Sequence, residues 1–158
     1  MCNKIEEVII KIEKDKGCED LPLPKAASQH ASGIDLFSAE ENPVEIGEGE
    51  IKLISTGIKI ALPIGFEAQV RPRSGLAYKH GVTVLNTPGT IDSDYRGVIK
   101  IILINHGKNS FLINRGDRIA QLVVQKIFKP ILVKAKELDK TKRGAGGFGH
   151  TGIKTDLK

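Results

Sequence analysis

The sequence predicts an all-β domain, a sandwich, jelly roll or barrel, with one short helix and a flexible C-terminal tail. Three observations predict it. Short apolar or alternating runs recur along the chain, separated by Gly, Pro and Asn. Only Ser74 to Lys79 reads as helix. From about Glu137 the apolar runs give way to charged and then glycine-rich sequence.

Val8-Ile9-Ile10-Lys11-Ile12 is expected to start the strand series. Gly17 to Gln29 is irregular, and Pro22 and Pro24 mark it as extended. Ile34 to Phe37 and Ile51 to Leu53 read as short strands. After Gly57, the residues Ile58, Ile60 and Leu62 alternate with Lys59 and Ala61, and Pro63-Ile64-Gly65 supplies a turn. Phe66 to Arg71 alternates again. Ser74 is the expected cap of the helix that follows. Val82 to Leu85 is β-branched and apolar, Val98 to Ile104 reads as a buried strand, and Phe111 to Ile113 and Ile119 to Phe128 complete the set. The domain is therefore expected over 1–136, with the tail over 137–158. A segment of such charge and so few side chains cannot bury enough surface to order itself alone.

At 158 residues the chain suits one domain, a size that buries about two-thirds of its unfolded surface. Cys2 and Cys18 are the two cysteines, without metal-ligand spacing, which points to a reducing compartment and inert thiols. Glu6 and Glu7 near the start, with no long apolar core, predict no signal peptide, and no run is long enough for a membrane helix. The expected location is therefore cytoplasmic. The net charge of +5 suits a polyanion: nucleic acid, a membrane or a free polyphosphate. Scarce aromatics, with no Trp, argue against stacking platforms for single strands, so no stable nucleic-acid binding is expected.

The densest chemistry lies in Gly89-Thr90-Ile91-Asp92-Ser93-Asp94-Tyr95-Arg96-Gly97. On an extended chain Asp92 and Asp94 would share a face. A carboxylate at the edge of a rigid β-scaffold can act as a general base or help hold a metal. A solvated hairpin is the alternative. Arg71-Pro72-Arg73-Ser74-Gly75 opens the helix, where free N–H groups, a hydroxyl and a guanidinium could cradle phosphate. The alternative there is an ordinary capped helix. The tail run Gly144-Ala145-Gly146-Gly147-Phe148-Gly149 fits G-x-G-x-x-G formally, but no βαβ pattern surrounds it. A flap carrying Arg143 and Phe148 is the better reading. His30, His80, His106 and His150 show no metal-ligand spacing and are expected on the surface or in loops.

Five segments in order resemble the motifs of the trimeric dUTP diphosphatase (dUTPase) family. They are Ala31 to Leu36, Pro72 to Ala77, Asn86 to Gly97, Gly116 to Leu122, and Arg143 to Gly152. The resemblance implies a β jelly-roll subunit and a homotrimer with active sites shared between subunits. It implies Mg²⁺-assisted hydrolysis of dUTP to dUMP and pyrophosphate, which limits uracil in DNA and supplies dUMP for thymidylate synthesis. By the same resemblance Asp92 orients and deprotonates the attacking water. Tyr95 packs on the deoxyribose, and Asn86, Thr90 and Ile91 belong to the hairpin that recognises uracil. Arg73, Ser74, Gly75 and Gln121 contact phosphates, and Asp35 supports Mg²⁺ through water. Arg143, Phe148 and Gly149 close over the nucleotide. His150 stands where the fifth motif commonly has serine, and is expected to donate to the polyphosphate in its place. A deaminase of the same fold would need a glutamate beside the hairpin, and Gly81 to Gly97 offers only Asp92 and Asp94 as acids. A non-catalytic binding protein would have no use for Asp92, Tyr95 and a complete tail.

Overall fold

A computed structural model describes residues 7–148. Its elements run β1 (Lys11–Lys14), β2 (Ile34–Phe37), β3 (Val44–Ile46), β4 (Ile51–Ser55), β5 (Ile58–Ala61), β6 (Phe66–Arg71), α1 (Ser74–His80), β7 (Val82–Val84), β8 (Gly89–Ile91), β9 (Lys100–Asn105), β10 (Phe111–Ile113) and β11 (Arg118–Lys126). All strand pairs are antiparallel. A four-stranded sheet has the order β2-β11-β6-β8, a three-stranded sheet the order β4-β9-β7, and two ribbons pair β1 with β5 and β10 with β3.

Both larger sheets turn one face into a single apolar core. Leu36, Ala68, Val70, Ile91, Ala120 and Leu122 come from the first, and Ile54, Val82, Val84, Ile101 and Leu103 from the second. The all-β jelly-roll expectation holds.

Several local expectations change. The first strand is Lys11–Lys14 rather than Val8 to Ile12, because pairing with Ile58 to Ala61 sets it, not apolar content; Ile9 stays exposed. β3 and β8 were not expected, since three residues are too few to show a period. The run before Asn105 is not buried on both faces: Ile101 and Leu103 are buried, while Ile102 and Ile104 are only half-covered. Its sheet has one inner face, and the outer face is apolar too. β11 ends at Lys126, short of Phe128, where pairing with β6 stops at Phe66. From residue 127 to 148 there is neither strand nor helix.

Arg73, not Ser74, holds the cap position of α1, with extended backbone and no side-chain capping bond. β6 runs through Pro72 directly into the helix, so Ser74 is already its first residue. Gly81 ends the helix in the left-handed region at φ 70°, where glycine is free of the Cβ penalty, and its N–H faces the carbonyls of Ala77 and Leu76. His30 and His106 are exposed, as expected, and His80 lies at the helix end with its ring 4.9 Å from that of Phe111.

Two polar fastenings hold the loops. Buried Asn105 donates from Nδ2 to the carbonyls of Ile46 (2.9 Å) and Asn109 (2.8 Å), and its Oδ1 accepts from Gly107 N–H at 2.8 Å. Arg115 pairs with Asp20 at 2.7 Å and 2.9 Å and donates to the carbonyls of Gly17 and Ala39. The guanidinium holds the Asp20 carboxyl below the usual carboxylate range. This ties the irregular segment, with buried Cys18, against the domain; Cys2 lies outside the described residues.

Asn105→Ala would leave two carbonyls and one N–H without their partner. The expected loss is roughly 2–4 kcal/mol, read from urea denaturation.

Candidate functional site

The Val82–Ile91 segment changes sheets. β7 pairs with β9, while β8 pairs with β6 in the other sheet. The intervening loop, with a cis Thr87–Pro88 peptide, therefore bridges the two layers. A cavity of about 230 Å³ opens beside it, lined by Asn86, Gly89, Thr90, Ile91, Asp92 and Tyr95 together with Ile99 and the β9 residues Lys100 to Ile102.

The chain leaves the sheet at Ile91, and the Tyr95 N–H closes a turn onto the Asp92 carbonyl at 3.2 Å. This corrects the same-face expectation for Asp92 and Asp94, which required a continuous strand. Asp92 lines the cavity and Asp94 does not. The Tyr95 hydroxyl donates to the Val98 carbonyl at 3.0 Å. Its ring lies over Gly97, where a Cβ would come within 2.4 Å of that hydroxyl. Glycine is what admits the ring.

A second, open cleft of about 390 Å³ gathers Gly33, Asp35, Arg73, Ser74, Gly75, Arg118 and Gln121. The register places Gln121 opposite both Asp35 and Arg71, so three strands meet there. Asp35 Oδ1 accepts from Arg73 Nε at 3.1 Å, and Oδ2 accepts from Arg118 at 3.2 Å. Gln121 Nε2 donates to the Pro72 carbonyl at 2.9 Å. Its Oε1 lies over Gly33, where a Cβ would sit 2.1 Å away. Ser74 and Gly75 are exposed at the start of the helix, and their N–H groups precede the first bonded ones, those of Leu76 and Ala77 to the Arg73 carbonyl.

The expected site residues thus fall into two groups. Asn86, Thr90, Ile91, Asp92 and Tyr95 share the hairpin cavity, and Asp35, Arg73, Ser74, Gly75 and Gln121 share the cleft. No residue lines both, and β11 and β6 separate β2 from β8. Arg143 donates to the Gly146 carbonyl at 2.8 Å within its own turn, and Phe148 is exposed; neither lines either space. Gly149 and His150 lie outside the described residues. Sequence reasoning gave no role to Arg118, Gly33 or Gly97. Arg118 could have been suspected as the one cation of Gly116-Asp117-Arg118-Ile119; the two glycines act through contacts that no local pattern announces.

The pattern that defines the dUTPase family matches residues 19–152. The chain belongs to this family. It is 58% identical over 146 residues to the deoxyuridine 5'-triphosphate nucleotidohydrolase of Thermoanaerobacter sp., covering 92% of this chain and 99% of that protein. It is 57% identical over 131 residues to the enzyme of the same name from Rickettsia felis, covering 83% and 88%. Among solved structures, the Staphylococcus bacteriophage 80alpha dUTPase with dUPNHPP superposes at a TM-score of 0.82, with 25% identity over 92% of this chain and 99% of that one. The dUTPase of phage phi11, described with a structural Mg(II) ion, gives 0.74 at 24% identity over 84% and 99%. This last likeness speaks to fold alone.

Gly33 and Gln121 are coupled by contact, which generates a test. Gly33→Ala should push the Gln121 amide off Pro72 and cut activity about tenfold or more while the fold survives, because a flexible side chain gives way. In a Gln121→Ala background the same change should cost little more, since residues in contact are non-additive. Steady-state kinetics on the four proteins of the cycle read this.

Proposed function

We propose that this dUTPase hydrolyses dUTP to dUMP and pyrophosphate, with Asp92 orienting and deprotonating the attacking water. The observation that carries the residue assignment is the hairpin cavity, whose lining includes Asn86, Thr90, Asp92 and Tyr95 together. Likeness to the nucleotidohydrolases over nearly the whole chain supports the substrate. Hairpin donors and acceptors read uracil through its O4 acceptor and N3–H donor. Cytosine inverts that pattern and would leave buried groups unpaired. Tyr95, held by Val98 and Gly97, packs on the sugar and leaves no room for a ribose 2′-hydroxyl.

The cleft takes the phosphates. Arg73 spends Nε on Asp35 and one terminal nitrogen on the Arg118 carbonyl, so its other terminal nitrogen can face the ligand. Ser74 and Gly75 supply N–H groups, and Gln121 is locked by Pro72. In-line attack on phosphorus needs positioning and charge neutralisation more than covalent chemistry. Arg143, Phe148 and Gly149 close over the nucleotide as the tail orders.

Among the described residues no cluster of three or more His, Cys, Asp or Glu could hold a metal. Asp35 is the one carboxylate of the cleft, and each of its oxygens keeps acceptor capacity beyond its arginine. This donor set fits Mg²⁺ held mainly by substrate phosphates and water, with Asp35 accepting from that water. The ion, when bound, offsets phosphate charge.

Homotrimer formation with shared sites is part of the proposal. The separation of the two spaces within one chain supports it. So do the exposed Ile51 and Leu53 on β4 and Phe128, Ile131 and Leu132 beyond β11, which further copies would cover. Among the described residues no helix is long and apolar enough to cross a membrane, and the proposed location is the cytoplasm. No glutamate lines the hairpin cavity, so nothing there favours a deaminase.

Pyrophosphate release with Mg²⁺ should be rapid from dUTP and slight from dCTP, dTTP, UTP and dATP; conversion of dCTP to a uracil nucleotide would overturn the reading. Asp92→Asn should lower kcat by about 10²–10⁴ while leaving the affinity for a non-hydrolysable dUTP analogue nearly unchanged. A large loss of affinity instead would make Asp92 a binding group.

A further inference from the structure

The far end of α1 meets the β9–β10 turn at a contact that only glycine allows. A Cβ on Gly81 would come within 2.5 Å of the Gly107 nitrogen, and one on Gly107 within 2.2 Å of the His80 carbonyl oxygen. The His106 N–H donates to the Gly81 carbonyl at 2.9 Å and closes the contact. Buried Asn105 holds the turn from its other side, through the Gly107 N–H and the Asn109 carbonyl. Backbone packing therefore fixes Lys79-His80-Gly81 against Gly107 to Phe111, two segments well separated in the chain.

A cavity of about 200 Å³ opens at this junction, lined by Lys79, His80, Lys108, Asn109, Ser110 and Phe111 with the two glycines. Among the described residues no Asp or Glu lines it, and neither Lys79 nor Lys108 has an ion pair or a side-chain hydrogen bond. Elsewhere Lys59 is shared by Glu13 and Asp15, and Lys52 pairs with Glu50. The helix end explains only part of this cluster. Cations in a last turn are favoured by the carbonyl end of the helix dipole, which accounts for Lys79 and His80. Lys108 stands on no helix, and the turn adds its charge beside theirs without a carboxylate to offset it. The carbonyls of Leu76, Ala77 and Gly81, which would repel an anion, are engaged by backbone N–H groups. The His80 ring packs against that of Phe111 at 4.9 Å and carries an N–H donor in either tautomer.

We propose that this cavity is a separate anion site, which binds a phosphate-type dianion through Lys79 and Lys108, with His80, Asn109 and Ser110 as further donors. Two lysine charges match a dianion. Rotating ammonium groups and a hydroxyl can each turn to a different oxygen, which suits a tetrahedral oxyanion. The site shares no residue with the cleft at the start of α1. The seven-residue helix holds the two apart by roughly 10 Å. The inference goes beyond the diphosphatase reading and does not depend on it.

The test titrates inorganic phosphate into the full chain and follows backbone amides by NMR, against sodium chloride at matched ionic strength. Saturable shifts are expected at Gly81, Gly107, Lys108 and Ser110. Lys108→Gln should weaken phosphate at these amides about tenfold or more, as for one lost charged hydrogen bond. Lys79→Gln makes the same comparison from the other segment, should the first variant not fold. Methyl phosphate identifies the source: equal binding assigns the site to a phosphate carried on a larger molecule, and exclusion assigns it to the free ion, both sustaining the anion site. Turnover of dUTP should be unchanged in both variants, because neither lysine lines the hairpin cavity or the cleft. Shifts that chloride reproduces would overturn the inference. So would shifts confined to Gly75 and Gln121 in the cleft, or phosphate affinity at Gly107 and Ser110 that both folded variants retain. Turnover lost in step with phosphate binding would overturn the separation of this site from the cleft.

Discussion

Both candidate spaces depend on the backbone pairing of β6. On one side it is bonded to β11 from Arg71 to Phe66, and on the other to β8 from Ala68 to Val70. The first ladder brings Gln121, and through it Asp35 on β2, to the cleft. The second holds Gly89 to Ile91 in place, so that the chain leaves the sheet at Asp92. The strand's own end delivers Pro72 and Arg73 to the cleft as α1 begins. A slip of one residue in either ladder would turn its side chains to the opposite face. Core burial of Ala68 and Val70 is what forbids the slip, because their neighbours would otherwise carry Gln69 into the interior.

The site residues are held by contacts that lie largely outside the motifs' chemistry. Gly33 admits the Gln121 amide and Gly97 admits the Tyr95 ring. Asp35 is spent on two guanidinium groups before any ligand arrives. Such arrangements are set in advance, and binding then costs less ordering of side chains. Arg143 and Phe148 are the exception. They lie in a segment without regular structure, and neither lines either space.

Much of the fold was legible. Ile58 to Leu62 and Phe66 to Arg71 alternate because one sheet face is buried, and Val82 to Val84 is β-branched because it packs in the core. What failed was short or set by pairing. β3 and β8 are three residues each, and β1 is placed by its partner β5 rather than by its own apolarity. The helix cap failed because Ser74, a good capping residue by type, is already inside the helix when the strand runs straight into it. The Asp92–Asp94 expectation failed because a turn follows Ile91 at once.

The sequence by itself determined the β class, the ordered motifs with their residues, and hence the family. These are properties of residue type and order, which hydrophobic period and turn chemistry express locally. Only the tertiary structure decided that the motifs of one chain divide between two spaces, that Asp35 binds both Arg73 and Arg118, and that a bulge at Ile119 turns Arg118 into the cleft. Each depends on strand register between segments far apart in the chain. Register is fixed by the packing of the whole core, so no local window of sequence contains it.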